Sequence, residues 1–234
     1  SQLGSDIDGE TGSDLFGYSV SLDSDGDRVA IGAARNGGTA SDAGHVRVFS
    51  WNGSSWSQLG SDIDGEAAGD QLGSSVSLDS DGNRVAIGAR FNDGTASNAG
   101  HVRIYEYSSS SWSQLGSDID GEASNDYSGI SVSLNSDGDR VAIGANGNDG
   151  TASNAGHVRV YSWGGSSWAK LGSDIDGEGG GDQFGHSVSL DYDGDKLAVG
   201  AKTNGGTGTD GGHVRIYHYL NNSWTQFGND IDSE

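Results

Sequence analysis

The sequence predicts an all-β fold, a β-propeller built of four-stranded antiparallel blades, with four tandem 56-residue repeats in this chain. Three observations predict it. The phrase SQLGSDIDGE at 1–10 returns at 57–66 and 113–122, as AKLGSDIDGE at 169–178 and as TQFGNDIDSE at 225–234. A period of this length marks each unit as one supersecondary module whose apolar face must be covered by its neighbours. Within each unit apolar residues alternate with period two, with no helical period, and turn formers separate four short runs. Four-stranded modules in series are the sequence sign of propeller blades.

The elements follow in order along blade 1, residues 11–66. GYSVSLD (17–23) sets Val20 and Leu22 against Ser19 and Ser21, the pattern of a first, half-buried strand. SDGD (24–27) predicts a type I′ hairpin turn, because Asp25-Gly26 suits two central positions of positive φ. RVAIGAA (28–34) is the second strand, with Val29 and Ile31 on one face and Ala30 and Gly32 on the other. RNGGTASDAG (35–44) is a polar loop. HVRVFSW (45–51) is the third strand, NGSS (52–55) a tight turn, and WSQLGSDI (56–63) the fourth strand. Blades 2 (67–122), 3 (123–178) and 4 (179–234) repeat the order, and residues 1–10 read as the terminal-strand copy of a preceding repeat. The bulky face of one blade is expected to pack on the small face of the next. Aromatic residues of the third and fourth strands, such as Tyr105, Tyr107 and Trp112, would fill the wider outer gaps.

Charge restricts the partners. With 12 Lys and Arg against 34 Asp and Glu, the formal net charge is −22. Such a surface repels nucleic-acid phosphates and anionic lipid headgroups. No apolar run is long enough for a membrane helix, so neither nucleic acid nor membrane insertion is expected. The chain holds no Cys, which excludes disulfides and thiolate metal sites. It also lacks an initiator Met, and its two ends repeat one phrase. Both features are expected of four consecutive blades of a larger propeller or of an assembly of several chains. Further blades of the same or a longer chain are accordingly the expected partners.

The stretch FGYSVSLDSDGDRVAIGA (16–33), followed by GHVRVFSW (44–51), resembles the FG-GAP repeat of integrin-alpha-type β-propellers. Phe16-Gly17 and Gly32-Ala33 match the motif's two dipeptides, and every repeat carries a counterpart: Leu72-Gly73 with Gly88-Ala89, Ser128-Gly129 with Gly144-Ala145, and Phe184-Gly185 with Gly200-Ala201. The resemblance implies an extracellular or cell-surface propeller serving recognition or adhesion. Two departures stand out. The family's Pro after Gly-Ala is replaced by Ala34, Arg90, Asn146 and Lys202. The family's calcium loop, D-x-[DN]-x-D-G-x-x-D, would start at Ser21 and end at Val29, and the other copies place Ser77 and Val85, Ser133 and Val141, and Ser189 and Leu197 there. With two carboxylates missing, that loop reads as a plain hairpin.

The candidate metal site lies instead in D-I-D-G-E-x-x-x-D. Its copies are Asp6, Asp8, Glu10, Asp14; Asp62, Asp64, Glu66, Asp70; Asp118, Asp120, Glu122, Asp126; and Asp174, Asp176, Glu178, Asp182. Two Asp at i and i+2 share a strand face, and the following Gly would let Glu fold back, so Ca2+ is a candidate cofactor. The alternative is that these carboxylates cap turns and pair with Arg. Gly-His-Val-Arg places His45/Arg47, His101/Arg103, His157/Arg159 and His213/Arg215 two apart on the third strand, where structural pairing with those carboxylates is expected. No nucleophile elbow, no ordered Ser/His/Asp set and no metalloprotease helix occurs, so the chain is expected not to be an enzyme. Two readings remain: a structural or adhesive repeat module, and a propeller that binds carbohydrate or protein through loop residues such as Asn92, Asp93, Asn148 and Asp149.

Overall fold

A computed structural model describes residues 2–205 and 211–233. Among them there is no helix. The chain folds into four antiparallel sheets in tandem, the blades of a β-propeller. The first sheet runs β1 (Phe16–Leu22), β2 (Arg28–Ala33), β3 (His45–Trp51) and β4 (Trp56–Gln58), with β5 (Ile63–Asp64) on the far half of β3. The second comprises β6 (Ser75–Leu78), β7 (Arg84–Ala89), β8 (His101–Ser108), β9 (Ser111–Gln114) and β10 (Ile119–Asp120). The third holds β11 (Ser131–Leu134), β12 (Arg140–Ala145), β13 (His157–Trp163), β14 (Trp168–Lys170) and β15 (Ile175–Asp176). The fourth holds β16 (Phe184–Leu190), β17 (Lys196–Ala201), β18 (His213–Leu220), β19 (Ser223–Gln226) and β20 (Ile231–Asp232).

The predicted fourth strand is in fact two pieces on one partner. Trp51 pairs with Trp56 and Val46 with Ile63, and the left-handed Gly60 (φ 77°) breaks the run between them. A Cβ at Gly60 would lie 2.8 Å from Trp112 of the next blade, so glycine is needed there for packing as well as for the bend. The type I′ turn also falls elsewhere than expected. In the β1–β2 connection only Gly26 has positive φ, and Asp23 Oδ1 accepts the backbone N–H groups of Asp27 and Arg28 at 3.0 and 3.1 Å. This is a longer loop closed by an Asp side chain. Paired left-handed residues occur instead in the β8–β9 turn at Ser109-Ser110 and the β18–β19 turn at Asn221-Asn222.

The inner strands β1, β6, β11 and β16 touch in sequence, and the seams between blades hold the core. Ala30, Val46 and Val48 of the first sheet pack against Val76, Leu78, Val85 and Ile87 of the second. The same bulky-on-small pairing recurs at the next two seams. Polar contacts repeat with the same register. Ser19, Ser75 and Ser131 each donate Oγ–H across the seam to the carbonyls of Gly73, Gly129 and Gly185 at 2.8 Å. The indoles of Trp112, Trp168 and Trp224 donate back to the carbonyls of Leu59, Leu115 and Leu171 at 2.7–2.8 Å.

Sheets come this close because the small face carries glycine. A Cβ on Gly88 would collide with the carbonyl of Gly129. Gly88→Ala should therefore destabilise the chain by about 2 kcal/mol or more, lowering the melting temperature by at least ~4 °C. Gly12→Ala, whose Cβ would meet nothing within 4 Å, should leave it unchanged. Equal behaviour of the two variants in a thermal melt would show that the seams are not this tight.

Candidate functional site

The polar residues shared by all repeats gather at the outer part of each seam. Strand alternation puts His101 and Arg103 on one face of β8, both buried. The link from β9 to β10 brings Asp118 alongside, and Gln114 of β9 donates to Asp118 Oδ1 at 2.6 Å. Arg103 grips this carboxylate with two bonds, Nε to Oδ1 at 3.0 Å and Nη2 to Oδ2 at 2.9 Å. Its Nη2 also meets Glu66, which belongs to the preceding repeat. The guanidinium thus ties the end of one repeat to the middle of the next. Arg159 does the same for Asp174 and Glu122, and Arg215 for Asp230 and Glu178. Lys170 replaces Gln114 in the third unit and meets Asp174 at 2.7 Å. Arg47 differs: it donates to the Asp8 carbonyl at 2.8 Å, lies 3.8 Å from Glu10 and faces the ring of Phe16 at 4.5 Å.

The charges follow from this geometry. Burial opposes ionisation of Arg103, but hydrogen bonds with Asp118 and Glu66 outweigh it and hold its pKa above the ordinary value. Burial likewise opposes the charge on Asp174, yet Arg159 and Lys170 bring its pKa down to about 2. Asp118 is lowered in the same way by Arg103 and Gln114 against its burial. Burial, and then the neighbouring Arg charge, lowers His101 and His157, so these imidazoles are neutral at pH 7.

Glu66, His101 and Asp118 each bring a ligand atom within 4.8 Å of the others, as do Glu10, His45, Asp62; Glu122, His157, Asp174; and His213, Asp230, Asp232. Such acidic and histidine clusters offer the atom types that could hold a metal ion. Their donor set suits calcium poorly, because a hard cation wants six to eight oxygens and a guanidinium already lies among these carboxylates.

The carboxylates of one D-I-D-G-E-x-x-x-D copy diverge. Asp62 turns to Gln58, Glu66 reaches the next blade's Arg103, and Asp70 turns inward to the N–H of Ala67 and the amide of Asn92. Asp14 does likewise with Thr11 and Asn36, and Asp126 with Ala123 and Asn148. Hydrogen bonds, chiefly from Thr11, hold Asp14 below the usual carboxylate range. Among the loop residues, Asn92 and Asn148 are buried and spent on these bonds. Asp93 and Asp149 are exposed and accept the N–H groups of Asn98 and Asn154.

One cluster breaks the repeat. At the end of the inner strands opposite the β1–β2 loop, the Arg90 guanidinium lies 4.7 Å from the ring centre of Phe91 and 5.7 Å from that of Tyr18. Tyr127 meets Phe91 edge-on at 5.7 Å. His186 is close enough that, after burial, the charges of Lys202 and Arg90 lower its pKa. Among the described residues neither Arg90 nor Lys202 forms an ion pair. No motif of the sequence marks these residues as a set. The available signal was that Arg90-Phe91 stands where the other repeats have Ala34-Arg35, Asn146-Gly147 and Lys202-Thr203.

Comparison with known proteins agrees with the fold. Residues 62–105 match the FG-GAP repeat, so the resemblance carried by the two dipeptides holds for this segment. No curated protein matches the chain. Among solved structures it is similar to a proposed 6-phosphogluconolactonase of Bacteroides uniformis, with a TM-score of 0.61 at 11% identity over 92% of this chain and 55% of that one. It is similar to hydrazine synthase of Kuenenia stuttgartiensis, with a TM-score of 0.61 at 12% identity over 97% of this chain and 51% of that one. The periplasmic gluconolactonase of Pseudomonas aeruginosa gives a TM-score of 0.61 at 14% identity, over 92% and 57%. The chain thus spans about half the length of the solved structures it matches. These likenesses correct one expectation. The absence of catalytic motifs does not set the chain apart from enzymes, because chains described as lactonases share its fold. At such identities the likeness itself concerns the fold alone.

The seam clusters predict a measurable response. Arg103→Ala leaves Asp118 and Glu66 without their cation and should cost about 1–3 kcal/mol, between the values for exposed and buried pairs, read as a lower melting temperature. An unchanged melting temperature would remove the ionic seam from the account.

Acid should act in two stages. The native state disfavours protonated His101 and His157, so stability starts to fall as pH drops through 6.5. The lowered carboxylates contribute fully above the unfolded value of 3.8, and that contribution is lost as pH falls toward about 2. Melting temperatures between pH 8 and 2 would test both stages, and a single transition confined to one region would contradict the assignment.

Proposed function

We propose that the chain is a recognition module of an extracellular or cell-surface protein, a repeat scaffold that presents a glycan- or protein-binding surface at one end of its inner strands. The observation that carries this reading is the cluster of Tyr18, Arg90, Phe91, Tyr127 and His186. Its residues come from four different repeats, and they stand where the copies differ. Polar groups present in every copy are already engaged in holding blades together, which leaves the symmetry-breaking set for ligand contact. Aromatic faces beside an uncompensated guanidinium suit a sugar ring bearing a carboxylate or sulfate, or an acidic protein loop. The FG-GAP match supports the recognition role and the extracellular setting. Structural and adhesive roles are served by the same scaffold when it anchors a longer chain to such a ligand.

A glycan array probed with the chain should return acidic glycans, and the signal should fall at least ten-fold in Arg90→Ala and in Tyr127→Ala, with melting temperatures close to that of the parent. An array without binders, or binding indifferent to both changes, would overturn the reading. Calcium has a subordinate place in it. With arginine as the cation of the seams, millimolar calcium should leave the melting temperature unchanged. A rise of several degrees would restore calcium as a ligand of the D-I-D-G-E carboxylates.

A further inference from the structure

The two end blades expose faces whose counterparts are buried at every internal seam. On the first sheet Leu22 is 60% exposed, whereas Leu78 and Leu134 are each 7% exposed. On the last sheet Ile231 is 59% exposed, whereas Ile63, Ile119 and Ile175 are 4–6% exposed. Repeat arrays that end in solvent carry polar caps. Here both faces keep the residues of the interior seams: the exposed Val20 and Leu22 at one end, Ser187, Ser189, Ala198 and Gly200 at the other.

The match extends to backbone detail. At each internal seam a left-handed glycine and the residue before it plug into the preceding sheet. Leu72, Ser128 and Phe184 form parallel bridges with Gly44, Gly100 and Gly156. The following Gly73, Gly129 and Gly185 lie so close to the carbonyls of His45, His101 and His157 that a Cβ would come within 2.5–2.7 Å. In the first blade the corresponding Gly17 has nothing within 4 Å of such a Cβ. On the last blade the corresponding socket is an open cavity of about 460 Å³, lined by Ser187, Gly200, Gly212, Val214 and Ile231 among others. Among the described residues a plug and its socket are thus both present and unmated.

We infer that a second copy of this chain docks head to tail, its Phe16-Gly17 turn entering the cavity beside Gly200 and Gly212. Register alone then specifies the contacts. Gly212 bridges the partner's Phe16, Ser187 donates to the carbonyl of the partner's Gly17, and the partner's Val20 and Leu22 cover Ala198 and Val214. Such an interface is heterologous, and two copies mating at both ends form a closed ring of eight blades.

Docking has one steric consequence. The seam has room for a single D-I-D-G-E segment, but each side brings one. Residues 2–10 lie on the first blade through the Trp56 bond to the Leu3 carbonyl at 3.0 Å and the close fit of Gly4 against Trp51. Among the described residues they pair with no strand. Ile231 and Asp232 pair with β18. The strand-paired copy therefore stays, and residues 2–10 of the partner are displaced.

The test is the solution mass of this 234-residue chain by light scattering, from 1 to 100 µM. The expected species is twice the 23.9 kDa chain. Val20→Asp with Leu22→Asp, at positions exposed in the single chain, should raise the dissociation constant at least ten-fold without altering the circular dichroism. Gly4→Val, which forces a side chain against Trp51, should loosen residues 2–10 and lower it. An open series of oligomers abolished by the double substitution would keep the docking and show only that two copies do not close. A monomer at 100 µM, or assembly indifferent to these substitutions, would overturn the inference.

Discussion

Close approach of a bulky sheet face to a small one is the constraint on which this structure rests. At Gly32, Gly88 and Gly144 the carbonyl of the next blade's plug glycine occupies the space of a side chain. Ser19, Ser75 and Ser131 beside them satisfy those carbonyls. A buried carbonyl without a partner would cost about 1–3 kcal/mol, so the serine belongs to the packing arrangement as much as the glycine does. Glycine supplies proximity and serine supplies the hydrogen bond, and the valine, leucine and isoleucine opposite supply the buried area. Changing any of the three leaves the other two without their purpose.

This constraint explains why repeated polar motifs are poor guides to chemistry in such a chain. A group present in every copy meets the same neighbours in every copy, and those neighbours belong to the adjoining blade. Arg103 is an example. Its side chain is buried at a seam that apolar packing alone leaves open at the outer edge, where blades diverge. Burial of a lone guanidinium would be prohibitive, and the carboxylates of Asp118 and Glu66 come from the two repeats that the seam must join. The motif D-I-D-G-E is thus divided between blades: Ile and the second Asp lie on one sheet's edge, while Glu reaches the next. The arginine pairing was legible from residue types alone. The division was not, because contiguity in sequence suggested convergence on one point, and the bend at Gly60 separates what the sequence joins.

Other features were legible to different depths. Blade order and strand content follow from period-two alternation, which is a direct image of strand geometry. Turn chemistry is only partly written in dipeptides. Asp25-Gly26 carries the I′ signature, but Asp23 satisfies the loop's N–H groups with its side chain and leaves only Gly26 left-handed. Ser109-Ser110 carries no such signature, yet both residues are left-handed, because the pairing of Ser108 with Ser111 allows only a two-residue connection. Tertiary register overrode local preference in both places. The cluster around Arg90 was the least legible, since its members lie far apart in sequence and meet only where the inner strands converge.

The division between repeated and unrepeated residues also bears on how such a scaffold acquires a role. Each seam needs its glycine, serine and arginine. Substitution at those positions is felt by the blades on both sides, since neither has a core of its own. Ala34 is fully buried, but its counterparts Arg90, Asn146 and Lys202, just past the second strand, are half-buried or exposed. Variation at the exposed counterparts alters the surface at the end of the inner strands. The cluster of Tyr18, Arg90, Phe91, Tyr127 and His186 accordingly draws its side chains from several blades. The guanidinium at Arg90, the imidazole at His186 and the ring at Tyr127 are the products of that freedom. Their proximity follows from the convergence of the inner strands, which the glycine-lined seams make possible.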